Sequence, residues 1–163
     1  MNPGDALGRD CMMADFLPKK IDFTRLYKND GIRNEDLFSW NAEVYAPLDG
    51  IIMDVYINNV TNVPGHMNPS RASSILIQGD SEMVVMLAHI QNPIVSVGEG
   101  VKEGQLLAYV GNNGFCRNPH IHIGAYGGGK PFMIGIHFCS QHSPMISPFT
   151  STAKQGFSFD IPP

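Results

Sequence analysis

The sequence is short of charge, of cysteine and of long apolar stretches. Charged residues make up 16% of the 163, with 11 lysines and arginines against 15 aspartates and glutamates. A net charge of −4 without a basic run argues against nucleic acid or an anionic membrane as partner, since either favours a basic face. The three cysteines, Cys11, Cys116 and Cys139, contain no CxxC pair, and their odd number leaves at least one free thiol. They make a poor disulfide framework. The longest apolar run, Met83 to Ala88, is far below the roughly 20 residues of a membrane span. The opening MNPGDALGRD has no apolar run of the kind a secretory signal carries. No repeat or low-complexity block is present, and 43% hydrophobic residues weigh against disorder.

Turn formers are plentiful. Seventeen glycines and 12 prolines exceed the usual combined share of about 12%, which favours short strands over long helices. The length suits one domain, here 1–163, able to bury roughly 70% of its unfolded surface. A short helix is expected around Glu35 to Trp40. Strands are expected at Val44–Ala46, Ile51–Ile57, Ile75–Gln78, Met83–Ile90, Val95–Val97, Leu106–Val110 and His120–Tyr126. Asn58 to Ser73, broken by Pro64-Gly65 and Asn68-Pro69, reads as a long loop. Strands about ten residues apart with turns between them predict an all-β sandwich or barrel.

Four features carry chemistry. In His120-Ile121-His122, strand alternation turns both imidazoles to one face, where they serve as metal ligands or as ligand and base. The plainer alternative is a pair of hydrogen-bonded surface histidines. His89 closes an apolar strand, the position of either a satisfied core histidine or a catalyst. Asp10 and Asp15 form an acidic pair near the N-terminus. Asp15 lies in a strand-like setting where a bare carboxylate needs a partner, and Asp10 also suits a turn cap. His137, Cys139 and His142 are metal-ligand types whose spacing fits no closed zinc module, so they are expected to lie outside the site and bind no metal.

Together these segments resemble the lysostaphin-type zinc endopeptidases of bacterial peptidoglycan. Val44-Tyr-Ala-Pro-Leu-Asp-Gly50-Ile is similar to the family's "V-x-A-P-x-D-G-x-V", and Met86-Leu-Ala-His89-Ile-Gln to its "Y-x-L-x-H-L". Val97 to Gly114 is similar to "V-x-x-G-x-x-V-x-x-G-Q-x-I-G-x-V-G-x-x-G", and Asn118-Pro119-His120-Ile-His122 to "x-P-H-L-H". The order and intervals of the blocks agree over residues 4–135, leaving 136–163 as an extension.

The resemblance implies a partly open β-barrel or sandwich with a groove across its sheet. It implies one zinc ion, with His122 and Asp15 as ligands, and His89 and His120 as catalytic histidines. Ala14-Asp-Phe-Leu-Pro18 is similar to "A-x-D-F-x-x-P" of one branch; Asp10 is the alternative carboxylate, since Ala6-Leu-Gly8-Arg-Asp10 has the spacing of "H-x-G-x-D". In either register the family's first ligand histidine falls on Ala6, whose methyl cannot bind metal. The zinc would then be weakly held or absent, and hydrolysis impaired or lost. An engineered change, a natural pseudo-enzyme and a substitute ligand such as His66 each account for Ala6. The implied substrate is peptidoglycan or a glycine-rich peptide, and the implied location is a bacterial envelope or the exterior. Asn58–Ser73 and Gly127–Gly129 are expected as groove walls. The alternative function is a catalytically dead, peptidase-like binding module. The Gly98–Gly111 block also resembles biotinyl and phosphocarrier modules, though Lys102 lacks the hairpin-tip setting of a biotinyl lysine.

Overall fold

The computed structural model describes residues 7–16, 24–80, 82–134 and 156–157. Ala6, His137, Cys139 and His142 lie outside them. Among the described residues the strands are, in order, β1 (Arg9–Cys11), β2 (Asp15–Phe16), β3 (Thr24–Arg25), β4 (Glu43–Tyr45), β5 (Gly50–Tyr56), β6 (Ser74–Gln78), β7 (Val84–Ala88), β8 (Ile90–Gln91), β9 (Gly100–Val101), β10 (Leu106–Val110), β11 (Ile121–Gly127), β12 (Lys130–Phe132) and β13 (Gly156–Phe157). A large antiparallel sheet runs β1-β11-β7-β6-β5-β9, with β12 also on β11. A second sheet runs β13-β4-β10-β8, and β2 pairs with β3 alone. The fold is all-β and the sheets do not close into a barrel.

The core lies between the two larger sheets. Ile52, Ile75, Ile77, Val85, Leu87, Ile121 and Ile123 from one cluster with Val44, Ile90, Leu107, Ala108 and Val110 from the other. Alternation sorts each strand of the large sheet. In β11, Ile121, Ile123 and Ala125 point into the core, so His122 is turned to the opposite face. In β7, Val85 and Leu87 go inward and Ala88 outward with His122. The register lines up Ser74, Ala88, His122 and Asp10 across β6, β7, β11 and β1. Two small side chains thus flank His122 on one side and a carboxylate on the other.

Three local expectations change. The segment Glu35–Trp40 is not an α-helix but a single 3-10 turn, Asn34–Asp36. The Asp36 carboxylate accepts from Asn29 Nδ2 and from the Arg33 N–H, and Leu37 bridges to Tyr27, so the chain is drawn out of helical continuation. Val95–Val97 is not a strand. The Ser96 N–H donates to the Glu99 carboxylate and the Glu99 N–H returns to the Ser96 carbonyl, closing a turn around Gly98 at φ +86°. The strand Met83–Ile90 is split at His89, which sits at φ +63°.

Leu87 is fully buried at the centre of the large sheet. Leu87→Ala should lower the unfolding free energy by about 2–5 kcal/mol, read from urea denaturation. A change below about 1 kcal/mol would contradict the placement of this face in the core.

Candidate active site

A groove of about 690 Å³ crosses the outer face of the large sheet, and Asp10, His89, His120 and His122 all line it. Asp10 stands directly opposite His122 in the β1–β11 pairing, and His122 Nδ1–H donates to Asp10 Oδ1 over 2.7 Å. Two residues earlier, Gly8 presses on the same ring. A Cβ there would meet His122 Cε1 at 2.6 Å and Nε2 at 2.7 Å, so only glycine leaves the imidazole in place. Burial pushes the Asp10 carboxyl up, but the hydrogen bond from His122 and the nearby His120, His122 and His89 rings outweigh it and hold the pKa below its usual value.

The other two histidines are each fixed through Nδ1. His89 Nδ1–H donates to the Asn113 carbonyl at 2.8 Å, and His120 Nδ1–H to the Asn118 carbonyl at 2.8 Å. Carbonyls only accept, so both neutral rings leave the Nε2 lone pair available. Their centroids are 4.5 Å apart, and His120 Nε2 lies 3.5 Å from Asp10 Oδ1. His89 is buried. Desolvation, then the charge of a protonated His120, drive its pKa down to about 4, so it stays neutral across ordinary pH.

Asp15 is elsewhere. Its carboxylate pairs with Arg25 at 2.8 Å across β2–β3, and it is not among the groove residues. The geometry brings Asp10, not Asp15, to the histidines. The cause is register: β1 crosses β11 at Asp10, whereas β2 turns away onto β3. His66 lies in a neighbouring depression with Val60, Asn62 and Met67, outside the histidine groove. Met67, Ser70, Arg71 and Ala72 of the 58–73 loop do form one wall, and Phe115 to Asn118 form another. Gly127–Gly129 instead makes the β11–β12 turn and does not line the groove.

Sequence reasoning missed Asn113. Its buried side chain accepts from the Ser73 N–H at 2.7 Å and donates to the Ile90 carbonyl at 2.9 Å, while its own carbonyl holds His89. Gly111 makes room for it, since a Cβ there would lie 2.9 Å from Asn113 Nδ2. In the Gly111-Asn-Asn-Gly114 run, asparagines between glycines give no sign of this clamp. Also missed was Cys116, a buried thiol on the groove whose pKa desolvation raises to about 12.

Residues 35–133 match the sequence profile of Peptidase family M23, a span that includes His89, His120 and His122. The chain belongs to peptidase family M23. Among solved structures, this M23 chain is similar to a zinc-containing peptidase from Vibrio cholerae, at 20% identity and TM-score 0.45, over 64% of this chain and 35% of that one. It is similar to the catalytic domain of the antimicrobial peptidase lysostaphin from Staphylococcus simulans, at 21% identity and TM-score 0.44, over 62% and 80%. It is also similar to a mutant catalytic domain of the prophage-encoded M23 protein EnpA from Enterococcus faecalis, at 14% identity and TM-score 0.48, over 78% and 89%. The chain thus spans about a third of the length of the Vibrio protein. No curated protein sequence matches it. No helix among the described residues is long and apolar enough to cross a membrane.

The depressed His89 pKa has a signed consequence. The unfolded imidazole takes its proton near pH 6.5 and the folded one only near 4. Stability of the metal-free protein should therefore fall as pH drops from about 6.5 to about 4, by up to about 3 kcal/mol, and level off below. Urea unfolding against pH should show this slope, and His89→Gln should flatten it. An NMR titration of the His89 ring with a midpoint near 6.5 would contradict the burial argument.

Proposed function

We propose that this M23 chain is a zinc-dependent peptidoglycan endopeptidase domain, a single unit across 1–163, with its metal half-site at Asp10 and His122 and a vacant ligand position at Ala6. The observation that carries the reading is the Asp10 Oδ1–His122 Nδ1 pair facing two imidazoles whose Nδ1 protons are both committed to backbone carbonyls. The donor set suits zinc. Carboxylate oxygen and imidazole nitrogen bind it at about 2.0–2.2 Å, which places tetrahedral neighbours about 3.3 Å apart. The pair at 2.7 Å needs to open by only about half an ångström. Asp10 replaces Asp15 in this assignment because it is the carboxylate on the groove.

A bound zinc ion supplies a Lewis acid that polarises the scissile carbonyl and acidifies water. The chain's own residues do the rest. His89 Nε2, neutral and rigidly aimed, accepts a hydrogen bond from the attacking water and orients it. His120 Nε2, 3.5 Å from Asp10 Oδ1, takes the proton. His120 then returns the proton to the leaving amine. The groove walls from the 58–73 loop and Phe115–Asn118 hold the peptide and limit water. A glycine-rich cross-bridge suits such a site, and its place is the envelope or exterior of a bacterium.

The vacancy rests on the family resemblance: the H-x-G-x-D spacing that puts the carboxylate at Asp10 and the glycine at Gly8 puts the ligand histidine at Ala6. A closed zinc site is worth roughly 10–16 kcal/mol over four ligands, so one missing ligand weakens binding by about 10²–10³.

Ala6→His should raise zinc affinity by about 10²–10³ and bring about or increase lysis of purified cell walls. Ala6→His with His89→Ala should bind zinc equally well and lyse poorly. Zinc titration and turbidity loss measure both. If Ala6→His gains neither metal nor activity, the chain is a binding module on a peptidase frame.

A further inference from the structure

The groove contains a thiol for which the hydrolytic reading has no use. Cys116 is 1% exposed, and its Sγ lies 3.4 Å from His120 Nδ1. His89, Cys116 and His120 each offer a donor atom within 4.8 Å of the others. A four-coordinate ion with metal–sulfur near 2.3 Å and metal–nitrogen near 2.0 Å spaces those ligands about 3.5 Å apart. The Cys116–His120 pair already has that spacing. The Asn118 carbonyl sits 3.0 Å from Cys116 Sγ and 2.8 Å from His120 Nδ1, placing an oxygen donor beside both. His89 keeps its Nδ1–H bond to Asn113 and is assigned through Nε2, whereas His120 is assigned through Nδ1, the nitrogen 3.4 Å from Cys116 Sγ, and gives up its bond to Asn118.

We propose that His89 Nε2, Cys116 Sγ and His120 Nδ1 form a second metal site, separate from Asp10 and His122, for a thiophilic ion such as Zn²⁺, Cd²⁺ or Cu⁺. A thiolate with two imidazoles is the ligand chemistry these ions take over Mg²⁺ or Ca²⁺. On binding, the Cys116 S–H proton leaves to solvent. The His120 ring exchanges its proton from Nδ1 to Nε2 and stays neutral, so each ion releases one proton. Without metal, the thiol simply donates to the Asn118 carbonyl.

The site has a regulatory consequence, which rests on the hydrolytic reading above. Occupation removes both lone pairs that the reaction uses. That of His89 Nε2 goes to the ion, and that of His120 Nε2 to the relocated proton. The Asp10–His122 pair is untouched. A thiophilic ion in excess of the catalytic one therefore switches the domain off, and a thiol chelator restores it.

The test is a Cd²⁺ titration of the reduced full chain, following the ultraviolet charge-transfer band of a cadmium thiolate. One thiolate per chain should bind. Cys116→Ser, which keeps a donor for the Asn118 carbonyl, should lose the band and weaken this site by about 10²-fold. Cys11→Ala and Cys139→Ser should retain it. In the unsubstituted protein, cadmium–nitrogen couplings in NMR should appear at the rings of both His89 and His120, a readout that needs no variant to fold. A band that survives Cys116→Ser, no band at all, or coupling confined to His122 overturns the site. The band reports the site whether or not the chain cleaves anything, so loss of the hydrolytic reading alone leaves it standing.

Discussion

The register of β1 against β11 is the constraint on which the groove depends. Three residue pairs hold it: Arg9 with Ile123, Asp10 with His122 and Cys11 with Ile121. A slip of one residue would turn Asp10 into the core face and bring the buried Cys11 out among the histidines. The burial of Ile121 and Ile123 fixes β11, and Cys11 in the same core fixes β1 onto it. The carboxylate–imidazole pair is thus positioned by apolar packing on the other side of the sheet. Gly8 completes the fit by letting β1 approach the ring closely.

A second level of order comes from strain. His89 is a non-glycine residue at φ +63°, a conformation that costs of order 1–3 kcal/mol and persists only where surroundings impose it. Here its N–H is held by the Ser73 carbonyl, its carbonyl by the Gly111 N–H and its ring by Asn113. Asn113 also ties Ser73 to Ile90, so one buried amide links the start of β6 to β8, just after the break at His89. Held so, the His89 ring lies tilted beside His120, with centroids 4.5 Å apart. Burial then sets its protonation state.

Much of the frame is legible in the sequence because period-two alternation is local. β4, β5, β6, β10 and β11 fall within a residue or two of their expected places. Val95–Val97 departs from expectation because β-branched residues mark strands, while the turn there is made by a carboxylate three positions on. The histidine cluster is visible through His120-x-His122 and the family blocks. Which carboxylate faces the histidines is not. Asp15 has the more strand-like neighbours, but what decides is a pairing 112 residues away, which no local pattern encodes. Asn113 and Cys116 are hidden for a related reason, since asparagine in a glycine-rich run reads as a turn and a single cysteine carries no spacing.

The central claim is that Asp10 and His122 form the half-site for zinc. Its most direct test is an anomalous difference map at the zinc edge, from crystals of the unaltered chain equilibrated with zinc at a level that fills the weaker, two-ligand site. A peak within bonding distance of Asp10 Oδ1 and His122 Nδ1 is the predicted result. Zinc bound at Asp15, or a map with no peak between Asp10 and His122, would contradict it.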